Sequence, residues 1–263
     1  MHYSYYLSIF AKKQRIVKRI ILIIIVILII AITVWWRSPI FGNEWNKQTI
    51  YVGLCDVWYG QSKDDKAYAM WIDDDSTIGV FRVKKIADSL NIPPYFAVIA
   101  DKMEQDVADS LAAWQRQGAG ILLHGLRHEP WKEWDEAQIE HDIYQSYQRL
   151  YKQGFDTTQI IKIIVPPHGC NTNTIRKAIK RHGCQMITGA HLVNPDRHVY
   201  QLGRISIDPN TDLETVQEML EKAYKRKAFV IFATHSSMSF PIEKTQEVLQ
   251  IAKKIGFCFD IND

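Results

Sequence analysis

The chain has 263 residues, of which 47% are hydrophobic, and it carries a formal net charge of +3. A chain of this size and composition is able to bury a full core, so we expect one large domain and an appendage. The positive charge is concentrated before Glu44, beside an apolar run. It therefore indicates membrane topology and argues against a nucleic acid partner.

The predicted elements begin with a basic N-terminus, residues 1–19, followed by the apolar run Ile20–Trp36. At about 1.5 Å per helical residue this run is long enough to cross a bilayer. Basic residues before it and only Arg37 close behind it place the N-terminus in the cytoplasm and the rest of the chain outside. The alternative is a cleaved signal peptide, but the run is long and no small-x-small pair follows it. We therefore predict an uncleaved, single-pass signal anchor in the cell membrane, and a linker at residues 37–48.

Four cysteines would face a non-cytosolic, oxidising space in this topology: Cys55, Cys170, Cys184 and Cys258. Their spacing is not that of metal ligands, so disulfides and buried free thiols both remain open. Cys55 and Cys258 would meet if the first and last strands of the domain are neighbours.

Residues 49–263 form the predicted main domain, in which strand-like runs alternate with helical periodicity. The expected strands are Thr49–Val57, Ala67–Ile72, Tyr95–Ile99, Gly120–Leu123, Ile160–Val165, Gln185–Ile187, Gly203–Ile207, Ala228–Ala233 and Phe257–Ile261. The expected helices are Val80–Leu90, Gln105–Gln117, Glu136–Gln153, Asn173–His182, Leu213–Lys227 and Ile242–Ile255. Such alternation implies parallel pairing, and about seven units indicate a closed or nearly closed β/α barrel.

Polar residues follow several of these strands and should converge at one face of the barrel. Asp73, Asp74 and Asp75 end one apolar run, and His124 and His128 follow another. Three adjacent acids form either an acidic cap before the next helix or a site that holds a cation. One aspartate and two histidines from two strand ends would make a three-ligand metal site with a position open to water. The histidines favour the second interpretation.

Four motifs carry a resemblance: Ile72-Asp73-Asp74-Asp75, His124-Gly125-Leu126-Arg127-His128, Val165-Pro166-Pro167-His168-Gly169 and Ala233-Thr234-His235. In this order the chain resembles the polysaccharide deacetylase family, carbohydrate esterase family 4, over roughly Lys66 to Asp260. The corresponding family motifs are Thr-Phe-Asp-Asp-Gly, His-x-x-x-His, Arg-x-Pro-x-Gly and Leu-x-His. The resemblance implies a distorted (β/α)7 barrel that hydrolyses N- or O-acetyl groups of an envelope or exported polysaccharide with zinc or another divalent transition metal.

By this resemblance, Asp73 matches the general base and Asp74 the metal-binding acid. His124 and His128 match the two histidine ligands, and His235 matches the general acid. A backbone N–H near His168, in the Pro167-His168 turn, would help to hold the oxyanion. Trp131, close behind His128, is a candidate for stacking on a sugar ring.

Three departures from the family pattern leave alternatives open. Val165 stands where the family has the arginine that orients the base, Asp75 replaces the motif glycine, and no Asp-x-x-Asp-Trp motif is present. The Asp75 departure leaves unresolved which two of the three acids act. Arg204 begins a predicted strand and is a candidate for the missing guanidinium. The alternatives to a deacetylase are a weak or inactive carbohydrate-binding or assembly protein on the same fold, and a metal-dependent amidohydrolase of another substrate.

Overall fold

The computed structural model describes residues 25–28, 62–189, 193–236 and 240–261. Contacts divide the chain into two units, residues 1–47 and 48–263. In the first unit, residues 25–28 are helical. The rest of the predicted anchor Ile20–Trp36, the linker and the predicted strand Thr49–Val57 lie outside the described residues. Among the helices that are described, none combines the length and the apolar character needed to cross a bilayer.

Strands and helices alternate through the described part of the second unit. The strands are β1 (Tyr68–Asp73), β2 (Tyr95–Val98), β3 (Gly120–Leu123), β4 (Ile163–Ile164), β5 (Gln185–Thr188), β6 (Val193–Asn194), β7 (Gln201–Gly203), β8 (Ile205–Ser206) and β9 (Phe229–Thr234). The helices are α1 (Val80–Leu90), α2 (Gln105–Gln115), α3 (Glu136–Lys152), α4 (Asn173–Arg181), α5 (Leu213–Lys225) and α6 (Ile242–Ile255). Two short 3₁₀ turns lie at Trp131–Glu133, between β3 and α3, and at Pro167–Gly169, between β4 and α4.

The strands form a nearly closed barrel. β9, β1, β2, β3, β4, β5 and β7 are neighbours in this order, and each adjacent pair is parallel. Only Arg204 separates β7 from β8, and β8 pairs with β9, so the segment 201–206 joins the two ends of the sheet. The remaining gap is filled by β6, where the side-chain amide of Asn194 donates to the carbonyls of Gly203 (3.0 Å) and Phe229 (3.2 Å). The predicted α/β barrel is confirmed in this form.

Alternation along the strands decides which side chains enter the barrel. Tyr68, Met70 and Ile72 of β1 belong to one apolar cluster with alternate residues of the other strands, among them Leu122 and Ala233. This cluster is the barrel interior. Residues two positions beyond its last members continue on the same side and so lie at the mouth. They are Asp74, His124, Arg204 and His235, whereas Asp73 shares the outer side of β1 with Trp71.

The helices form where apolar periodicity and end signals agree. α1 buries Val80, Val83, Ile86 and Ala87. α3 begins with a capping box, because the Asp135 side chain accepts from the Gln138 N–H and the Gln138 side chain accepts from the Asp135 N–H. The six helices predicted for residues 49–263 are present, with ends within two residues of those expected.

Three predicted strands need correction. Gly203–Ile207 is not continuous, because its first half pairs with β5 and its second half with β9. Ile160–Val165 is reduced to β4, with two residues. Phe257–Ile261 makes only one bridge, between Cys258 and Tyr68. β1 pairs with β2 only at its carboxyl end, at Ile72 and Asp73, so the last segment of the chain enters beside the amino end of β1, where β1 and β2 diverge.

The structure tests only part of the cysteine predictions. Cys170, Cys184 and Cys258 are free thiols. Cys55 lies outside the described residues, so its predicted encounter with Cys258 stays a prediction. Cys258 itself lies beside β1, where its N–H donates to the Ala67 carbonyl at 2.9 Å.

Candidate active site

A cavity of about 790 Å³ opens at the carboxyl ends of the barrel strands. Its lining includes Asp74, Asp75, His124, His128, His168, Arg204 and His235. The structure therefore brings together seven polar side chains from five different strand ends or loops, as expected for the mouth of a β/α barrel. Asp73 is absent from this lining.

The backbone of β4 fixes the ring of His124. Its Nδ1 lies 2.7 Å from the Val165 carbonyl oxygen, and because a carbonyl only accepts, Nδ1 carries the hydrogen. Nε2 then keeps its lone pair in the neutral ring. Burial lowers the pKa of His124 to about 4, so the ring is neutral at physiological pH. A neutral imidazole with one nitrogen pinned in this way is the usual form of a histidine metal ligand.

His128 and His168 complete a row of rings beside His124. The centroid of the His128 ring is 4.6 Å from that of His124 and 4.4 Å from that of His168. Burial, followed by the neighbouring His168, lowers the pKa of His128. His128 and His168 both adopt positive φ, 60° and 56°, which is uncommon for residues other than glycine and is concentrated at functional sites. The two loops are thus held in strained conformations that bring the rings together.

Asp74 is buried at the centre of the mouth between Arg204 and His235. Its Oδ2 is paired with the Arg204 guanidinium, and its Oδ1 lies 3.0 Å from His235 Nε2. Oδ1 nevertheless accepts no hydrogen bond within the described residues. Burial would raise the pKa of Asp74, but the charges of Arg204 and His235 outweigh burial, and the net shift is downward. Asp74 is therefore an oriented carboxylate with one oxygen left for a ligand.

Asp73 faces away from the mouth and is fully buried. Its Oδ1 accepts from Thr234 Oγ1 (3.1 Å) and from the Ser236 N–H (3.0 Å), and its Oδ2 accepts from Ser236 Oγ (2.7 Å). Burial raises the pKa of Asp73 to about 8. Both oxygens are thus occupied in joining β1 to the end of β9, and neither reaches the cavity.

Asp75 lies at the cavity and belongs to the turn that follows β1. Its Oδ1 accepts from the Ser76 N–H at 2.7 Å, while Ser76 Oγ accepts from the Ile99 N–H at 2.7 Å. These contacts tie the turn to the end of β2. The charge of Asp75 acts on His128, where it opposes the downward pKa shift.

The donor set suits a divalent transition metal, although the ligands are not gathered into a cluster. Two neutral imidazoles with nearby carboxylates are the donors that Zn²⁺ prefers, and Asp74 Oδ1 is a buried oxygen without a donor. Within the part of the chain that is described, however, no three His, Cys, Asp or Glu side chains lie close enough together to hold an ion. The expected triad of Asp74, His124 and His128 is not assembled, because Arg204 and His235 occupy the surroundings of Asp74.

Two of the predicted substrate-contacting residues are corrected. Trp131 is completely buried, with 0% of its surface exposed, so it is not available to stack on a sugar. Pro167 is also buried and packs beside Gly125. His168, in contrast, is exposed and lines the cavity, and its Nε2 lies 3.0 Å from the His128 carbonyl oxygen.

Sequence reasoning missed that Thr234 and Ser236 bond to Asp73 and hold it outside the cavity. Alternation along β1 separates Asp73 from Asp74, but it does not show which of them lies inside the barrel. No sequence signal points to Ser236, since its contact joins residues 163 positions apart.

Comparison with known proteins identifies relatives for this domain. The sequence model of the polysaccharide deacetylase family matches residues 60–187. No curated protein matches the chain. Among solved structures, the Xyl-CE4 domain of a multidomain xylanase from the hindgut metagenome of Trinervitermes trinervoides is 15% identical, with a TM-score of 0.52, and the match covers 73% of this chain and 86% of that one.

Two other similar structures come from named bacteria. A family 4 carbohydrate esterase from Streptomyces lividans, in complex with acetate, is 14% identical, with a TM-score of 0.51 and coverage of 74% of this chain and 91% of that one. A CE4 family pseudoenzyme from Bacillus anthracis is 11% identical, with a TM-score of 0.53 and coverage of 75% and 64%. At these identities the likeness concerns the fold alone.

Proposed function

We propose that the chain is a metal-dependent hydrolase that removes acetyl groups from a polysaccharide, because the polysaccharide deacetylase family model matches residues 60–187 and the fold is like that of carbohydrate esterase family 4. The observation that carries the proposal is Asp74, a buried carboxylate at the barrel mouth that Arg204 orients and that keeps one oxygen without a donor. Such an oxygen is suited to accept a proton from a water molecule. The acetyl linkage, amide or ester, is left open by this site.

The geometry favours a register one residue later than the simplest motif alignment. In this register Asp74 is the general base, and Asp75 would join His124 and His128 as the acid that holds the metal. These three side chains, too, are not gathered into a cluster within the described residues, so they would have to close around a bound ion. Asp73 then has a positioning role, because it fixes Ser236 and so the adjacent His235. A bound divalent ion would supply a Lewis acid for the acetyl carbonyl and lower the pKa of water.

The positions of His235 and His168 suggest the two remaining catalytic roles, the general acid and the oxyanion donor. His235 is exposed at the mouth, within 3.0 Å of Asp74, and is placed to give a proton to the departing amine or alkoxide. The His168 N–H donates to no described residue, whereas the next two N–H groups donate to the carbonyls of Pro166 and Pro167. This unused N–H in the strained turn is the candidate oxyanion donor.

Metal binding gives the direct test of this function. We expect the full chain to bind about one divalent ion and to hydrolyse 4-nitrophenyl acetate and acetylated oligosaccharides. Removal of the ion by chelation should abolish hydrolysis, and Zn²⁺ or Co²⁺ should restore it. His124→Ala should lose the ion because it removes an imidazole that burial has made neutral, whereas His182→Ala, at the end of α4, should keep it. Full metal content in a His124→Ala, His128→Ala double variant would refute the site.

The second candidate function is carbohydrate binding without turnover. Val165 supports it, because this residue stands where the family places an arginine, and one similar structure is described as a pseudoenzyme. It predicts that oligosaccharides bind but are not deacetylated at any metal concentration. A metal-dependent amidohydrolase of a non-carbohydrate substrate is the third alternative, and it predicts hydrolysis of simple acetyl amides with no preference for sugars.

We further propose that Ile20–Trp36 anchors the enzyme in the cell membrane, with residues 49–263 outside the cytoplasm, where envelope and exported polysaccharides occur. The basic residues before the apolar run support this topology. A reporter fused after Asp263 that works only outside the cytoplasm should be active. The purified protein should also keep its N-terminal segment. A mature N-terminus beyond Trp36 would show a cleaved signal instead.

A further inference from the structure

A second cavity lies directly behind the loop that carries the active-site histidines. It measures about 510 Å³, within the usual range of small-ligand sites. Leu126, Arg127 and Glu129 form one of its walls, while His124 and His128 of the same loop line the active-site cavity. The two cavities are therefore separated by a single loop, 124–129.

The lining of this second cavity combines an aromatic surface with several hydrogen-bonding groups. Trp134 is half-buried and stacks on the completely buried Trp131, with ring centroids 6.5 Å apart and planes at 28°. Trp134 is therefore supported by a buried aromatic ring. Gln138, Gln145 and Asp142 line the same space from α3. Both glutamine side chains carry amide donors, while Gln138 Oε1 already accepts from the Asp135 N–H and one oxygen of the buried Asp142 carboxyl group is bonded within the protein.

Asp142 connects this cavity to the active-site loop. The carboxyl group is buried, and its Oδ1 accepts from the Leu126 N–H at 2.9 Å. Gly125 packs so closely that an added Cβ would lie 2.8 Å from Pro167 Cγ and 3.4 Å from Asp142 Oδ1. The wall between the two cavities is thus held in place from both sides, and a ligand behind it would contact a preformed surface.

The charges and shape favour a hydroxyl-rich ligand over an ion. The Arg127 guanidinium is paired with Asp101 at 3.1 Å, so it does not make the cavity an anion site. No group of three metal-binding side chains occurs here within the described residues. An aromatic face, which packs on the C–H side of a sugar ring, together with amide and carboxylate groups for its hydroxyls, is the combination that pyranose recognition requires.

We propose that the cavity bounded by Trp134, Gln138, Asp142 and Gln145 is a second carbohydrate subsite, which binds a unit of the same polysaccharide while another unit is deacetylated across the loop 124–129. The proposal rests on the proposed function, because it takes the polysaccharide as the substrate. Its consequence is a preference for long substrates. Binding energy from the remote unit is available only to a chain that spans both cavities.

Chain-length dependence tests the subsite. For the full chain, kcat/KM should rise with length in N-acetylglucosamine oligomers or acetylated xylo-oligosaccharides of one to five units. Trp134→Ala should reduce kcat/KM for the pentamer about tenfold, the effect of losing one aromatic contact, and leave 4-nitrophenyl acetate hydrolysis unchanged. Gln145→Ala should act in the same direction. Tyr151→Ala removes an exposed aromatic from the same helix, outside the cavity, and should have no effect.

The outcomes separate the subsite from the proposed function. Suppose that the full chain hydrolyses 4-nitrophenyl acetate but kcat/KM does not change with length in either oligosaccharide series. The subsite is then refuted and the proposed function stands. The same holds if kcat/KM of Trp134→Ala rises with substrate length as in the wild type. If no acetyl substrate is hydrolysed, the proposed function fails. Calorimetric titration with the same pentamers then still tests whether the subsite binds carbohydrate. Binding that Trp134→Ala weakens would support the subsite, and binding that is absent or insensitive to Trp134→Ala would overturn it.

Discussion

Replacing Asp74 by asparagine is expected to lower kcat for deacetylation by about a thousandfold while the bound metal is retained, because the variant loses the general base and keeps the metal ligands. Asp75→Asn should instead lose both the metal and activity. Asp73→Asn should retain the metal and most of the activity, since this side chain lies behind the mouth with its oxygens bonded to Thr234 and Ser236. Metal content and kcat, measured for all three variants, give a different pattern for each acid.

The simple motif alignment predicts another pattern. With Asp73 as base and Asp74 as metal ligand, Asp73→Asn would be inactive with its metal bound, Asp74→Asn would lose the metal, and Asp75→Asn would be close to wild type. That result would support the simple alignment, with Asp73 as base and Asp74 as metal ligand. It would also require the Asp73 carboxylate to leave its contacts with Ser236. Thermal unfolding of each variant is the necessary control, because Asp73 and Asp74 are both buried.

Much of this barrel is predictable because local patterns and tertiary packing agree. Helices α1 and α6 begin and end where the periodicity places them, and β3 matches its predicted range residue for residue. Parallel strands bring their carboxyl ends to one edge, so the meeting of Asp74, His124 and His235 follows from strand order alone. The resemblance to the polysaccharide deacetylase family is confirmed over residues 60–187, which include α1 and β3.

The features that the sequence does not predict depend on pairing between distant segments of the chain. Period-two alternation shows that Asp73 and Asp74 lie on opposite faces of β1, but the apolar residues on both faces of this buried strand hide which face is inside. The cluster around Met70 and Ile72 settles it. The burial of Trp131 is equally non-local, because it depends on how the loop after His128 folds against α3.

The break between β7 and β8 is the most consequential of these features. A continuous strand would have pointed alternate residues inward without interruption, and nothing in the sequence around Arg204 signals that the two halves pair with different neighbours. The break brings the Arg204 guanidinium to Asp74 across the barrel mouth, where its side chain is 13% exposed. Val165 faces the same interior with a short apolar side chain that carries no charge to pair with Asp74.

Removal of that guanidinium should therefore be the second severe change. We expect Arg204→Ala to lower kcat at least a hundredfold with a smaller change in KM, because Asp74 loses the partner that fixes its rotamer and lowers its pKa. Arg204→Lys should recover part of the activity, since it restores the charge but not the planar geometry. Loss of one partner of a buried ion pair typically costs about 3–5 kcal/mol, so the thermal stability of Arg204→Ala should fall as well.

Chemical rescue distinguishes a positioning role from a purely structural one. Millimolar guanidinium ion should restore part of the kcat of Arg204→Ala by occupying the vacated space beside Asp74, and it should not restore activity to Asp74→Asn, which lacks the carboxylate that the ion would orient. Arg176→Ala is the matched control, because this half-buried arginine contacts Asn171 and Asn173, does not line the active-site cavity, and should show neither loss nor rescue. Full activity of Arg204→Ala without guanidinium would mean that Asp74 is oriented without Arg204, and the carbohydrate-binding alternative would gain if wild type and variant were equally inactive.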